Sequence, residues 1–499
     1  MQYEPSFQCI EQYLERNAGT HPENAAVIVR DVRVSYKELW RLTRGFARYL
    51  TEECAVSPGE RVVVRSAQTL EYAVAYFSVH LCGAIFVPVE RGLPPENAKA
   101  IIAETEAKVY LSRDKPTDIP GKTVDLRETV RLGNEFFRED WTFRFPSAED
   151  SADIMYTTGT TGKAKGVEVT HRVLLSTAEN YVEGFELKDG TVMAVPGPMN
   201  HVNPLRKLYT MVMSGNAIVI LNGLVSVKAF FDALDTQNVN ALCLPPASLR
   251  LIWKASGDKL AEYAERIDFV ECSTAPVTES DKSTLRRQLP KSRLYNNYGL
   301  SECGAMVMYD FCAYPHKGAG CVGKPTVNSH VIIVDEQRNE IRSSKNHMGL
   351  IANSGPINMK GYWRSPEKTA EVKANGYIYT NDIGYFDEDG FLYVVGRQND
   401  TINVGGLKVE PTEVEEAALL FPSVHECICV PEEDELTGTS LKLLVVMKAG
   451  ERFDENELRK FLSGKLAPYQ VPKLYGEIDR VPRNFVGKPD RNAFRRKGV

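Results

Sequence analysis

Asp153-Ile154-Met155-Tyr156-Thr157-Thr158-Gly159-Thr160-Thr161-Gly162-Lys163-Ala164-Lys165-Gly166 decides how this chain is read. Its first four residues are strand-like. From Thr157 to Gly166 it packs four threonines, three glycines and two lysines into one segment. Hydroxyls and unhindered glycine N–H groups can surround phosphate oxygens, and lysines supply the opposing charge. The segment is not a Walker loop. Its glycines are spaced too closely, and Ala164 follows Lys163 where a magnesium-binding Ser or Thr would stand. A plain surface turn is the alternative, and the concentration of hydroxyls, glycines and cations argues against it.

Outward from this segment, helical patterns alternate with β-branched runs such as Arg61–Val64, Ala217–Leu221 and His330–Val334. Such alternation predicts α/β layers. Tyr72–Val89 carries no formal charge and has the length of a membrane span, but His80 and Gly83 interrupt it and Pro88 ends it. It reads as a buried helix, a glycine stop and a buried strand. Near Gly396–Asp400 the chain changes character. Before it, Phe386–Val395 reads as a hairpin with an Asp-Gly turn. After it come a helix from Thr412, strands at Glu426–Val430 and Leu441–Met447, and a helix at Glu455–Ser463. The expected organisation is a large multilayered N-terminal domain, residues 1–397, and a small mobile α+β C-terminal domain, residues 398–499.

The 499 residues carry a formal net charge of −6, which offers no global positive field for nucleic acid. The ten cysteines form no CxxC pair and no zinc spacing. Cys427 and Cys429 flank Ile428 in a strand-like run and read as core residues. The N-terminal residues show no basic segment leading into an apolar one. A cytoplasmic protein with free thiols and no transmembrane segment is expected.

Several further segments resemble the superfamily of adenylate-forming enzymes: acyl- and aryl-CoA ligases, the adenylation domains of peptide synthetases, and firefly-type luciferases. The threonine- and glycine-rich loop matches that family's loop, with Ala164 in place of a proline. Asn296-Asn297-Tyr298-Gly299-Leu300-Ser301-Glu302 resembles its Tyr-Gly-x-Thr-Glu segment. Lys360-Gly361-Tyr362-Trp363 with Thr369 resembles its Gly-Tyr-Trp…Thr segment, and Tyr379-Thr380-Asn381-Asp382 its Thr-Gly-Asp. Gly396-Arg397 through Gly405-Gly406-Leu407-Lys408-Val409-Glu410-Pro411 resembles its hinge and thioester-forming loop. Gly487-Lys488-Pro489-Asp490-Arg491 resembles its C-terminal Gly-Lys-x-x-Arg. These segments follow the family's order and cover most of the chain. The pattern is closest to acyl-CoA ligases.

The resemblance implies ATP, Mg²⁺ and CoA as cofactors, and an enzyme that joins a carboxylic acid to a thiol through an acyl-adenylate. Thr157, Thr158, Gly159, Thr160, Thr161 and Gly162, with Lys165, would hold phosphates. Glu302 would hold Mg²⁺, with Ser301 near the α-phosphate. Tyr298, flanked by Asn297 and Gly299, would stack on adenine. Ser273, Thr274 and Ala275 correspond to a small-residue stretch against adenine and acid. Asp382 and Arg397 would hold the ribose. Lys488 would bridge the reacting carboxylate and the α-phosphate, and Gly406 would let the thiol arm pass. The hinge position carries Asn399 where the family has Asp or Lys. Asn381 replaces a glycine and is expected to tolerate positive φ.

Amino-acid-activating members place an Asp in the acid pocket, whereas Gly190–Phe231 here contains no Asp or Glu. Pro198-Met199-Asn200-His201 instead resembles the Phe-His segment of acyl- and aryl-CoA ligases. His201 is therefore expected to face the acid, with plain packing as the alternative, and Arg206 and Lys207 are read either as solvated or as facing a second anionic group on the acid. The acceptor is CoA or a carrier protein's phosphopantetheine. The alternative of another class is a nucleotide-binding regulatory protein that has lost catalysis. Gly318–Gly323 fits GxGxxG, but a strand is expected after it where a dinucleotide loop needs a helix.

Overall fold

The computed structural model describes residues 6–66, 68–90, 93, 95–114, 121–157, 165–221, 223–224, 226–273, 277–318, 320–398, 402–404, 407–434, 438–483 and 489–494. The chain divides into two compact units: Met1–Val331 with Ala352–Tyr379, and Ile332–Ile351 with Thr380–Val499.

Two sheets build the larger unit. In the first, the parallel strands Arg293–Leu300, Phe269–Cys272, Ala241–Cys243, Val192–Val195, Ala217–Ile220 and Ala25–Val29 lie side by side in that order, and Val32–Ser35 closes one edge antiparallel. In the second, Lys122–Asp125, Val109–Ser112, Arg61–Ser66, Ile85–Glu90 and Ser151–Thr157 run parallel. Lys165–Thr170 then pairs antiparallel with Ser151–Thr157. The centre strands are apolar on both faces, as in Val62-Val63-Val64 and Ile85-Phe86-Val87. A parallel sheet covered by helices on both faces demands such runs.

The uncharged stretch at Tyr72–Val89 resolves into the helix Leu70–Leu81 and the strand Ile85–Glu90. Every residue from Tyr72 to Leu81 is buried, so the helix is apolar all round because protein surrounds it. Gly83, at φ +69, makes the reversal that other residues adopt at a cost. Among the described residues no helix is long and apolar enough to cross a membrane. The strand Cys321–Pro325 begins inside Gly318–Gly323, and the element after it is the strand His330–Val334, where a dinucleotide loop needs a helix.

The smaller unit is built on the strands Val424–Asp434, Gly438–Met447 and Leu474–Glu477 with the helices Pro411–Leu419 and Glu455–Ser463. Cys427 and Cys429 enter the same core as Val414, Leu443 and Leu458, while Ile428 points to a second cluster. All ten cysteines are free. Leu474–Glu477 is a parallel partner that its short, mixed sequence did not announce.

The division falls earlier than the expected 397/398 boundary. The strand Tyr377–Phe386 crosses it, and its second half pairs with Leu392–Arg397 from Asp382 to Phe386. Ladder hydrogen bonds thus tie the residues after Tyr379 to the strand Leu392–Arg397 of the smaller unit. Ile332–Ile351 joins the same unit, as when Thr380 Oγ1 donates to the Ile351 carbonyl at 2.7 Å.

The helices Tyr36–Glu52 and Thr129–Phe136 cross where each carries a glycine. A Cβ on Gly45 would overlap the Gly133 carbonyl, and one on Gly133 would come within 2.9 Å of the Leu42 carbonyl. Backbone cannot yield as a side-chain tip does. Gly45→Ala should therefore cost about 1–3 kcal/mol by forcing the helices apart, despite the higher helix propensity of alanine. A urea-unfolding midpoint at or above wild type would refute this reading of the crossing.

Candidate active site

The threonine-rich loop leaves one strand and enters the next. In the antiparallel register Tyr156 faces Gly166 and Thr157 faces Lys165, so the ladder ends at the loop's roots. Thr158, Gly159, Thr160, Thr161, Gly162, Lys163 and Ala164 lie outside the described residues, as does the Thr157 side chain. At the far root, the Lys165 ammonium lies 5.1 Å from the centre of the Tyr362 ring.

Tyr362 belongs to the two-residue strand Gly361–Tyr362, which pairs with Val167 and Glu168. Trp363 N–H donates to the Gly166 carbonyl at 2.7 Å, and Thr369 Oγ1 accepts from Tyr362 N–H at 2.9 Å. The Tyr362 hydroxyl donates to Glu302 Oε1 at 2.9 Å, and the Glu302 carbonyl accepts from Met359 N–H at 2.8 Å. Burial, then the Glu302 carboxylate, push the Tyr362 phenol well above its usual range, so it stays a donor. Lys165, Glu302, Tyr362 and Thr369 come from three separate segments and meet here.

Ser301 and Glu302 occupy the turn between the antiparallel strands Arg293–Leu300 and Gly304–Asp310. The register shifts between Tyr298 and Gly299. A side chain on Gly299 would overlap the Gly304 carbonyl, and Gly304 itself sits at φ +63. Both glycines are needed for this tight hairpin, which presents a half-buried Tyr298, Ser301 and Glu302 from one short stretch.

Beside the hairpin, the helix Val202–Ser214 starts at His201. Burial pulls the His201 imidazole below its ordinary value and favours the neutral ring. Arg206 is buried and donates to the Leu300 carbonyl at 2.9 Å, tying this helix to the hairpin. Lys207 is fully buried. Its ammonium lies 3.6 Å from Glu271 Oε1, donates to Asn203 Oδ1 at 3.1 Å, and sits 3.4 Å from the centre of the Tyr181 ring. Burial, the largest single effect, would lower its pKa, but Glu271, Tyr181 and Cys243 together outweigh it and the net shift is upward. Of the two expectations for Lys207, solvated or facing an anionic group of the acid, its burial against Glu271 rules out the first.

Glu271 also accepts hydrogen bonds from Ser273 Oγ and Asn297 Nδ2. Asn203 Nδ2 donates to Ser273 Oγ at 3.2 Å, and the Tyr181 hydroxyl to Asn203 Oδ1 at 3.2 Å. Ser273 and Asn297 are thereby brought to one carboxylate, while Thr274 and Ala275 lie outside the described residues. Reading the sequence had passed over Glu271, Asn203 and Tyr181. A lone charge inside the apolar strand Phe269-Val270-Glu271-Cys272 was the available signal.

In the smaller unit, Asp382 stands directly opposite Arg397 across the antiparallel pair. Asp382 is buried, and its N–H donates to Thr380 Oγ1 at 3.1 Å. Asn381 lies within the strand, outside the positive-φ residues, so no left-handed backbone is required of it. Asn399, Gly405, Gly406 and Lys488 lie outside the described residues.

A family profile described as AMP-binding enzyme matches residues 14–363, and one described as AMP-binding enzyme C-terminal domain matches 413–488. The chain is 31% identical to a long-chain-fatty-acid–CoA ligase of Bacillus subtilis, over 96% of this chain and 92% of that one. It is 27% identical to a 2-succinylbenzoate–CoA ligase of Bacillus velezensis, over 97% and 98%. Among solved structures it resembles an O-succinylbenzoate coenzyme A synthetase of Bacillus subtilis in complex with ATP and magnesium ion. That likeness has a TM-score of 0.85 at 24% identity, covering 96% of this chain and 98% of the other.

The buried pair Lys207–Glu271 can be tested by unfolding. Lys207→Met leaves a buried carboxylate without its cation and should cost about 3–5 kcal/mol. Adding Glu271→Gln should restore most of the loss, because no net charge then remains inside. Additive losses in urea titrations of the two single variants and the double variant would contradict the pairing.

Proposed function

The chain belongs to the AMP-binding enzyme family, and we infer its reaction from that membership: ATP-dependent activation of a carboxylic acid to an acyl-adenylate, then transfer of the acyl group to the thiol of CoA. It is an acid–thiol ligase. The observation that best supports the reading is the meeting of Lys165, Glu302, Tyr362 and Thr369 at the root of the threonine-rich loop.

In the first half-reaction a carboxylate oxygen attacks the α-phosphorus of ATP, and the bond to pyrophosphate breaks. Two anions must approach, so the residues around them have to supply positive charge and alignment. We assign Lys165 and the loop hydroxyls and N–H groups to the phosphates, and Lys488 to the bridge between carboxylate and α-phosphate. Tyr298 stacks on adenine, Ser301 lies near the α-phosphate, and Asp382 with Arg397 takes the ribose hydroxyls. Glu302 is the assigned Mg²⁺ ligand. Its partly exposed carboxylate, oriented by the Tyr362 hydroxyl, has the hard oxygen donors this ion takes. Bound Mg²⁺ would neutralise phosphate charge. In the second half-reaction the thiol sulfur attacks the acyl carbon and AMP leaves, with Gly406 giving the thiol arm close access to the backbone.

We further propose that the acid is an aryl or medium-length acyl acid rather than an α-amino acid. An α-ammonium in the pocket needs a carboxylate partner. Gly190–Phe231 supplies none, and the buried Glu271 beside it is already neutralised by Lys207. Arg206 remains the candidate for a second carboxylate on the acid. Free thiols at all ten cysteines support a cytoplasmic location.

A panel of carboxylic acids scored by pyrophosphate release, with and without CoA, tests the assignment. With the right acid, pyrophosphate should exchange into ATP before any thiol is added, and free CoA should saturate turnover. Each α-amino acid should react at least about tenfold more slowly than its deaminated analogue, a difference needing only about 1.4 kcal/mol. ATP binding without exchange across a broad panel would favour a regulatory role. CoA without effect would favour a carrier protein as acceptor.

The two half-reactions should separate genetically. Lys488→Ala should abolish adenylation yet leave thiolation of a supplied acyl-adenylate largely intact. Gly406→Trp should do the opposite. Loss of the same half-reaction in both variants would contradict the assignment of these residues to different steps.

A further inference from the structure

Four ionisable side chains from four elements meet in the interior of the larger unit, and the reaction above uses none of them. They are Glu11 of the helix Ile10–Thr20, His80 of Leu70–Leu81, Asp153 of the strand Ser151–Thr157, and His171, first residue of the helix His171–Gly184. The first two and His171 are wholly buried, and Asp153 is 2% exposed. His80 Nδ1 lies 3.0 Å from Glu11 Oε1, and His80 Nε2 lies 3.0 Å from Asp153 Oδ1. The Tyr76 hydroxyl donates to Asp153 Oδ2 at 3.2 Å. His171 Nδ1 lies 4.0 Å from Glu11 Oε2, and the two imidazole rings meet edge to face with centroids 5.0 Å apart.

One feature of this cluster needs an explanation: among the described residues, neither ring nitrogen of the buried His171 has a hydrogen-bond partner, nor has Glu11 Oε2. Buried polar atoms of native proteins are nearly always paired, and an ion is one of the few explanations for those that are not.

We propose that Glu11, His80 and His171 bind a divalent transition-metal ion, for which zinc suits the donor set. Two imidazoles and one carboxylate are a common zinc environment. The donor atoms lie within 4.8 Å of one another, so bond lengths of about 2.0–2.2 Å need only modest ring and carboxylate rotations. His80 binds through Nδ1 and donates its Nε2–H to Asp153, the outer carboxylate that ligating histidines usually have. The Nδ1 proton leaves as the ion enters. Two positive charges then face two carboxylates, and Glu11 Oε2 and one nitrogen of His171 gain a partner. Asp153 lies on the strand entering the 158–164 loop, and His171 directly follows the strand leaving it. The ion thus acts as a structural clamp at the base of the phosphate-binding segment, loaded while the chain folds because the site is sealed afterwards.

Metal content of the full chain decides the matter without reference to activity. The protein is produced in zinc-supplemented medium, purified without a metal-affinity tag and desalted. Elemental analysis should then find about one zinc per chain. Refolding with Co²⁺ in place of zinc should give visible d–d absorption of the bound ion. His171→Ala should lose the zinc and the cobalt band, whereas His316→Ala, at an exposed site, should keep both. Folded wild-type protein with less than about a tenth of an equivalent of any transition metal would overturn the proposal. Equal zinc in the folded His171→Ala protein would overturn it too. If His171→Ala does not fold, the wild-type stoichiometry and cobalt spectrum decide alone.

Discussion

The segment to which we assign the phosphates is fixed at its two ends by one strand pairing, and the arrangement around it depends on that register. Thr157 opposes Lys165, and the second strand carries its ladder onward to Gly361–Tyr362. From there a single phenol reaches Glu302. A shift of one residue in the first pairing would turn every side chain of the second strand to the other face. Lys165 would leave Tyr362, and the hydrogen bond from Trp363 to Gly166 would lose its acceptor. The apolar residues Ile154, Val167 and Val169, all buried, make that slip expensive, so the core enforces the placement of the cation.

Buried charge is the second constraint. Lys207 and Glu271 neutralise each other between the helix Val202–Ser214 and the strand Phe269–Cys272, and Asn203, Ser273, Asn297 and Tyr181 take up much of the remaining hydrogen-bonding capacity. Such a network is a poor source of stability, because desolvation consumes most of the Coulomb gain. It is a good source of rigidity, since any rearrangement strands a charge. The helix Val202–Ser214 is held to the strand Phe269–Cys272 in this way, and Arg206 ties it to the hairpin carrying Ser301 and Glu302. The residues proposed for acid selection and for phosphate chemistry thus share one scaffold, so a change that disturbs Lys207 is transmitted to the hairpin.

Much of this was legible in the chain itself. The β-branched runs predicted strands that form, and the uncharged stretch at Tyr72–Val89 resolved as a helix, a glycine turn and a strand. The Asp-Gly hairpin and the elements after Thr412 come from turn chemistry and period alone. These features are local: propensity, glycine backbone freedom and apolar periodicity act over a few residues and leave their mark in sequence order. The family resemblance carried the proposed chemistry further, because segments such as Tyr298–Glu302 and Gly361–Trp363 combine residue types that ordinary packing does not call for together.

What only the tertiary structure decided is which distant charges meet. Arg206 and Lys207 are neighbours in sequence and look like one basic patch. Folding sends one to a backbone carbonyl of Leu300 and the other to Glu271. Glu11, His80, Asp153 and His171 are ordinary polar residues when read singly, and only the packing of three helices and a strand gathers them. The division of the chain before Asp382 was hidden for the same reason, since it depends on pairing between strands. Sequence order encodes what neighbouring residues do to one another. The fate of a charge depends on the field and burial it meets after folding, set by residues that can lie anywhere along the chain.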